Sequence, residues 1–270
     1  MFGFGYTGII ASMKKLPSGG GNGVLTTAWI TATSETDTTI ISALNTLETD
    51  LTTYGLTAKI KALYPMVGGT AAKHKFNFMD ARDLDAAYRL TFNGGWTHAS
   101  TGALPNGTNA YANTFGTQAS FMAVGSGHMS YYSRTTGSSG QNQYEMGNYA
   151  GAGYTTLAVR NNDRLQGHIN AASLPFTTAN TDGKGFYVAS RISATNLIQQ
   201  KNSTQYTTTA VEAYSAGNIV IGAVGTMGTP QAWSTKECAF ASIGLALSST
   251  ELTNFNSAMA TFQTTLARQV

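Results

Sequence analysis

From residue 73 onward the chain is a succession of short apolar runs, each cut off after a few residues by Gly, Asn or Ser. Candidate strands are 75–79, 88–92, 110–115, 129–134, 157–161, 165–170, 186–192, 197–201, 218–224 and 238–245. Turn signals recur roughly every 8 to 15 residues, too closely for crossover helices between parallel strands. The pattern therefore predicts a mainly β chain, a sandwich or barrel with apolar side chains facing inward. All-β units often reach about 200–250 residues as one domain, so the length of 270 residues does not demand a split.

Helices are expected only at the flanks. Ile40, Leu44, Leu47 and Leu51 fall on one helical face, with Asp37 or a neighbouring Thr to cap the start and Gly55 placed as a C′ glycine. Leu56, Ile60 and Leu63 predict a shorter second helix ending before Pro65. At the other end Ser248 and Glu251 form a capping box, and Leu252, Phe255, Met259, Phe262 and Leu266 make one apolar stripe that would cover a flank of the sandwich. The expected organisation is an arm and Gly-rich linker over 1–23, a helical segment packed on the sandwich over 24–72, and the β domain with its C-terminal helix over 73–270.

The arm is apolar, with Phe2, Phe4, Tyr6, Ile9 and Ile10, and Lys14 and Lys15 follow its apolar part, the reverse of a signal peptide. It reads as a docking arm for a partner subunit, or as a segment that folds back on its own domain. No run reaches the roughly 18 apolar residues of a membrane span.

Charged residues make up only 11% of the chain, under half the usual share of about 25%. The polar surface must then be Thr, Ser, Asn, Gln and Gly, which suits either repeated subunit contacts or an ordinary Thr-rich sandwich. The net charge of +3 is spread over scattered lysines and arginines, so no basic stripe with interleaved aromatics points to nucleic acid. Cys238 is the single cysteine, in an apolar run, and reads as a buried inert thiol without a disulfide.

No catalytic constellation is visible. Glycoside hydrolysis needs two carboxylates on one face, whereas Glu145, Glu212, Glu237 and Glu251 each stand without another acid nearby in sequence. The four histidines lack metal-ligand spacing, and Asp80, Asp83 and Asp85 surround Arg82, which favours an ion-paired helical turn over a calcium loop. Asn162 and Asp163 read as a hairpin turn. The chain is thus expected to be no enzyme and to hold no cofactor or metal. Aromatics offer binding surface: on a strand Tyr131 and Tyr132 point to opposite faces, so Tyr132 beside Arg134 is a candidate for stacking on a sugar. Trp96 and Trp233, both beside turn residues, are further candidates, or plugs at the sandwich ends.

Three stretches carry a family resemblance. Residues 105–112 (PNGTNAYA) are similar to the early "DGsnDYv" strand of the laminin G-like branch of the concanavalin A-like superfamily, 218–223 (NIVIGA) to its "lyIGa" strand, and 240–252 (FASIGLALSSTEL) to its closing strand and helix cap. The resemblance spans about residues 74–270 and implies a jelly-roll sandwich; Ala110 stands where calcium-binding members have Asp. The phrases KALYPMVGGT at 61–70, GGWTH at 94–98 and FQTTLARQV at 262–270 also resemble virion proteins of tailed bacteriophages. That likeness implies a structural or host-recognition component on the virion surface, assembled in the host cytoplasm. It would be present in many copies, held to other virion proteins by the arm, and able to bind host-surface polysaccharide. A free carbohydrate-binding module, a decoration protein without sugar affinity, and a glycoside hydrolase with an unrecognised site are the alternatives.

Overall fold

The computed structural model describes residues 21–138, 142–150, 152–174, 178–226 and 229–270; Phe2, Phe4, Tyr6, Ile9 and Ile10 of the arm lie outside the described residues. Two sheets stack face to face. The first, in spatial order, is β13 (Thr204–Thr209), β12 (Asn196–Lys201), β11 (Gly185–Arg191), β6 (Gly127–Ser133), β17 (Cys238–Gly244), β4 (Gly102–Pro105) and β3 (Trp96–Ala99). β1 (Ile60–Tyr64) also pairs with β17. The second is β10 (Thr178–Ala179), β9 (Arg164–Ala171), β8 (Gly153–Asn161), β7 (Met146–Ala150), β14 (Asn218–Ile221), β5 (Tyr111–Thr117) and β2 (Thr91–Asn93). A hairpin of β15 (Val224–Thr226) and β16 (Thr229–Gln231) hangs from β7. The described pairings are antiparallel except the short one between β15 and β7.

The central strands of the first sheet, β6, β11 and β17, are buried on both faces. Met129, Tyr131, Tyr187, Ala189, Ala241 and Ile243 point toward the second sheet, where they meet Met146, Leu157, Val159, Leu165, Ile169 and Ile221. The alternate residues Tyr132, Phe186, Val188 and Phe240 point the other way, into a second core made with helices. Those helices are α1 (Val24–Thr33), α2 (Thr38–Thr53) and the C-terminal α5 (Ser249–Thr265); α3 (Ala71–His74) and α4 (Gln118–Phe121) are single turns. Leu44, Leu47 and Leu51 of α2 and Leu252, Phe255, Met259 and Phe262 of α5 are all buried there. Two sheets under a layer of helices thus make three layers with two apolar cores.

The local signals for the long helices hold. Asp37 accepts from the amides of Thr39 and Ile40 at 2.8 and 3.3 Å. At the other end of α2 the Leu56 amide bonds Leu51 O and the Gly55 amide bonds Thr52 O, with Gly55 at φ 70°, the Schellman arrangement. Ser248 and Glu251 cap α5 reciprocally.

Other expectations are corrected. The spacing of Leu56, Ile60 and Leu63 does not make a second helix; Ile60–Tyr64 is a strand, because Ala62 and Tyr64 bury on one face while Ile60 and Leu63 bury on the other. Residues 24–72 therefore supply one strand, β1, to the first sheet as well as the helices α1 and α2 that pack on it. Residues 75–79 are not a strand either: the buried Asn77 side chain bonds the backbone of Leu63, Met79, Lys61 and Ala87, satisfying locally what a ladder would have satisfied. Val24–Thr33, which no local sequence signal marks as a helix, is helical. Its exposed start is held by Glu48 of α2, which accepts from the amides of Leu25 and Thr26 at 3.0 and 2.9 Å, and no local cap announces it. Residues 218–224 are interrupted at Gly222, φ 87°, where any Cβ would lie 2.6 Å from the Trp96 ring.

Phe255 sits edge-on to Phe186 and Phe240, with ring centroids 5.1 and 5.9 Å away, so it joins α5 to two central strands. Phe255→Ala is expected to lower unfolding free energy by about 3–5 kcal/mol, read from chemical denaturation; a loss below 1 kcal/mol would mean that the helix layer contributes little.

His128 lies in the same core, donating from Nδ1 to Leu245 O at 2.6 Å with Nε2 beside Ser242 Oγ at 3.1 Å. Burial lowers its pKa to about 4 and that of buried His74 to about 3, against 6.5 for a free imidazole. The unfolded chain gains protons below pH 6.5 that the fold refuses, so stability is complete above that value and falls as the pH drops toward 4. Each histidine contributes a slope approaching about 1.4 kcal/mol per pH unit in that window. Urea unfolding between pH 8 and 5 checks this; a flat profile would contradict it.

Candidate functional site

The four aromatic and basic residues singled out from sequence are not brought together. Tyr132 is only 1% exposed, stacks near-parallel to Phe186 and accepts the Val270 amide at 3.1 Å. The helix layer occupies the space where a sugar would stack, so the expected Tyr132 platform is corrected. Arg134 is committed to Glu237 at 3.3 Å and to the Arg268 carbonyl at 3.1 Å. Trp96, half-buried, donates to Asn93 O at 3.1 Å and packs edge-on to Phe92, closing one side of the inter-sheet core. Trp233 is half-buried with its ring 6.3 Å from Tyr111.

The site that the fold does build lies on the outer face of the second sheet. The register opposes Tyr149 to Tyr154 across the end of the β7–β8 hairpin, and Gly147 to Thr156 one step further in. The two tyrosine rings stack 4.4 Å apart at an interplanar angle of 9°. The β15–β16 hairpin forms the opposite wall with Val224, Thr226 and Gln231, and Tyr144 closes the end. The enclosed cleft is about 390 Å³, within the usual range of small-molecule sites at about 300–1,000 Å³. Gly147 lets β7 run close against β8: a Cβ there would meet Thr155 O at 2.2 Å, and at φ 141° no other residue is at ease.

Among the described residues no charged side chain lines this cleft. Tyr154 has its phenol pKa raised, first by its hydrogen bond to Tyr149, and burial raises that of Tyr144, so both stay neutral hydroxyls at ordinary pH. The charges beneath it are compensated. Glu145 and Lys236, both with fully buried side chains, pair at 3.3 Å. Glu145 also accepts from Ser234 Oγ and the Val159 amide, and Lys236 donates to Gln143 Oε1 at 3.0 Å. This knot pins the segments on either side of Tyr144 and Ala232 and so fixes one end of the cleft. What remains is a rigid recess with an aromatic pair, hydroxyls and amides, suited to a neutral polyhydroxylated ligand.

The other candidates resolve into structure. Asp80 pairs with Arg82, Asp83 with Lys75 and Arg89, and Asp85 with Arg89, in and before a 3-10 turn at Asp85–Ala87. Asn162 and Asp163, at φ 51° and 56°, turn the β8–β9 hairpin. The Cys238 thiol is buried and pushed up to about 12. Among the described residues no group of three or more His, Cys, Asp or Glu side chains is placed to hold a metal ion, and no helix is long and apolar enough to cross a membrane. The cleft was missed in sequence because residues 146–150 were not read as a strand. The signal was there: Tyr149 and Tyr154 flank AGAG, a turn that puts the two rings side by side. No protein-family model matches the chain, and no curated protein matches it significantly.

Lys236→Met alone leaves the Glu145 carboxylate buried without its counter-charge and is expected to cost about 3–5 kcal/mol. Adding Glu145→Met should return most of that loss, a coupling that a double-mutant cycle by chemical denaturation measures; additive losses would refute the pairing as the source.

Proposed function

We propose that this protein is a non-enzymatic carbohydrate-binding jelly roll of the concanavalin A-like, laminin G-like kind, displayed in many copies on the surface of a tailed-bacteriophage virion. The observation that carries the binding part is the uncharged tyrosine cleft: pyranose rings present an apolar face to aromatics and a rim of hydroxyls to neutral donors and acceptors. Tyr149 and Tyr154 offer the ring faces, and Thr156, Thr226 and Gln231 offer hydroxyl and amide groups. The absence of an acid among these lining residues favours holding over hydrolysis, which needs a carboxylate pair at the bond.

The display part rests on the resemblance of 61–70, 94–98 and 262–270 to virion proteins and on the sparse surface charge. It is supported by the placement of α1, which directly follows the arm: it belongs to the helix layer, with the first sheet between it and the sheet that bears the cleft. An arm leaving that layer would attach to other virion proteins on one side and leave the cleft facing host polysaccharide on the other. Single sites of roughly millimolar affinity, near −4 kcal/mol, then suffice, because neighbouring copies on one particle add by avidity.

A glycan array probed with the full chain should give neutral-polysaccharide signals. Tyr154→Ala and Tyr149→Ala are expected to weaken them about tenfold each, roughly 1.4 kcal/mol, while Trp233→Ala, outside the cleft lining, changes them little. An array without signal, or equal losses in all three variants, would overturn the binding assignment.

A further inference from the structure

We propose that β13 is a self-association edge at which two copies of this protein pair antiparallel, so that the first sheet continues from one molecule into the next. The proposal is independent of the glycan reading. Most strands at the sheet ends are short: β10 has two residues, β2 and β16 have three each and β3 has four, while the outer edge of the five-residue β1 is bonded by Asn77 and Phe78. The remaining end, β13, has six residues, Thr204–Thr209, paired with β12 along its whole length without a register shift. Edge strands expose unpaired backbone groups, and monomeric proteins blunt them with short strands, Lys, Pro or bulges. β13 reads TQYTTT and has none of these.

The phase of the ladder identifies the free groups. Ala210 donates its amide to Thr195 O at 2.9 Å, just beyond the paired stretch, so even-numbered residues of this strand bond β12. The amides and carbonyls of Gln205, Thr207 and Thr209 consequently point away from the sheet, and among the described residues no strand pairs with that side. The edge is also held in place. The Gln205 side chain donates to Ser249 O at 2.9 Å and accepts from Ser249 Oγ at 2.6 Å, tying β13 to the start of α5.

A second copy is the occupant that these residues fit. In self-pairing every charge on an edge strand meets its own copy or a near neighbour of it, and this strand carries no charge to repel. Antiparallel pairing about Thr207 sets Thr207 against Thr207 and Gln205 against Thr209. Neutral β-branched cross-strand pairs of this kind stabilise a ladder. Past the end of the strand Val211 is 72% exposed, apolar surface that the overlapping strand of the second copy would cover. Because the contact is two-fold and each molecule has one such edge, association closes at a dimer.

The test is sedimentation equilibrium on the full chain over a range of concentrations, comparing wild type with Thr207→Pro and Thr207→Lys. Thr207→Pro removes an outward amide and no internal ladder bond; Thr207→Lys keeps the backbone intact and opposes two ammonium groups. Wild type should dimerise from the 28.4 kDa monomer, and either variant should raise the dimer dissociation constant at least about tenfold, a change of roughly 1.4 kcal/mol. Circular dichroism should be unchanged for Thr207→Lys, which decides the matter if the proline variant misfolds. A wild type that stays monomeric would overturn the proposal. So would a dimer that persists in Thr207→Lys, including one that disappears only when residues 1–20 are removed, which would assign association to the arm.

Discussion

Everything in this molecule depends on the burial of β6, β11 and β17 on both faces. A strand so placed must present an apolar or hydrogen-bonded side chain at every position, and these three do. Where a polar group intrudes it finds a partner: Ser190 Oγ donates to Leu247 O at 2.8 Å, and Ser130 and Ser242 bond each other at 2.6 Å. The helix layer is fastened at its C-terminal end by Arg268, whose buried guanidinium bonds the carbonyls of Pro65, Met66 and Ala239 and the side chain of Gln263. Burial lowers its pKa to about 9, still leaving it cationic at neutral pH. With one sheet enclosed between two cores, the surfaces left for recognition are the outer face of the other sheet and the sheet ends.

This constraint also explains what the sequence disclosed and what it hid. Alternation and turn residues revealed the central strands because packing and pattern agree there, as they do for the capped, amphipathic α2 and α5. The second core was hidden in the same strands. Tyr131 and Tyr132 were read as one core ring and one surface ring, which is right for a two-layer sandwich and wrong once helices cover the second face. No local signal within 129–134 says which case applies; the cue is the pair of apolar helical stripes elsewhere in the chain that need a surface to cover. Helix α1 stayed unread for a related reason: its N-terminal amides are satisfied by Glu48, in another element, and not by a residue of its own.

Two of the strands that the sequence did not announce, β7 and β13, are polar or glycine-rich. MGNYA and TQYTTT show weak hydrophobic alternation because each has a side or an edge with little apolar burial. These are also the elements that carry the cleft and the free edge. The proposed recognition surfaces lie where the demand for an apolar core is relaxed, so for these two strands legibility and availability for recognition run in opposite directions.

The two proposed surfaces constrain each other geometrically. Antiparallel strands paired within one sheet are related by an axis perpendicular to that sheet, so corresponding faces of the two molecules point the same way. Pairing through β13 would place both helix layers on one side and both tyrosine clefts on the other, with neither recognition face consumed by the contact. A dimer so formed is bivalent toward a flat polysaccharide surface, while α1 lies on the opposite, helical side. The low charge suits this arrangement: neutral edges approach without repulsion, and neutral clefts shed no tightly held ions when a sugar enters. The cost is the loss of long-range electrostatic steering, which matters least for a site already held close to its ligand by a neighbouring copy.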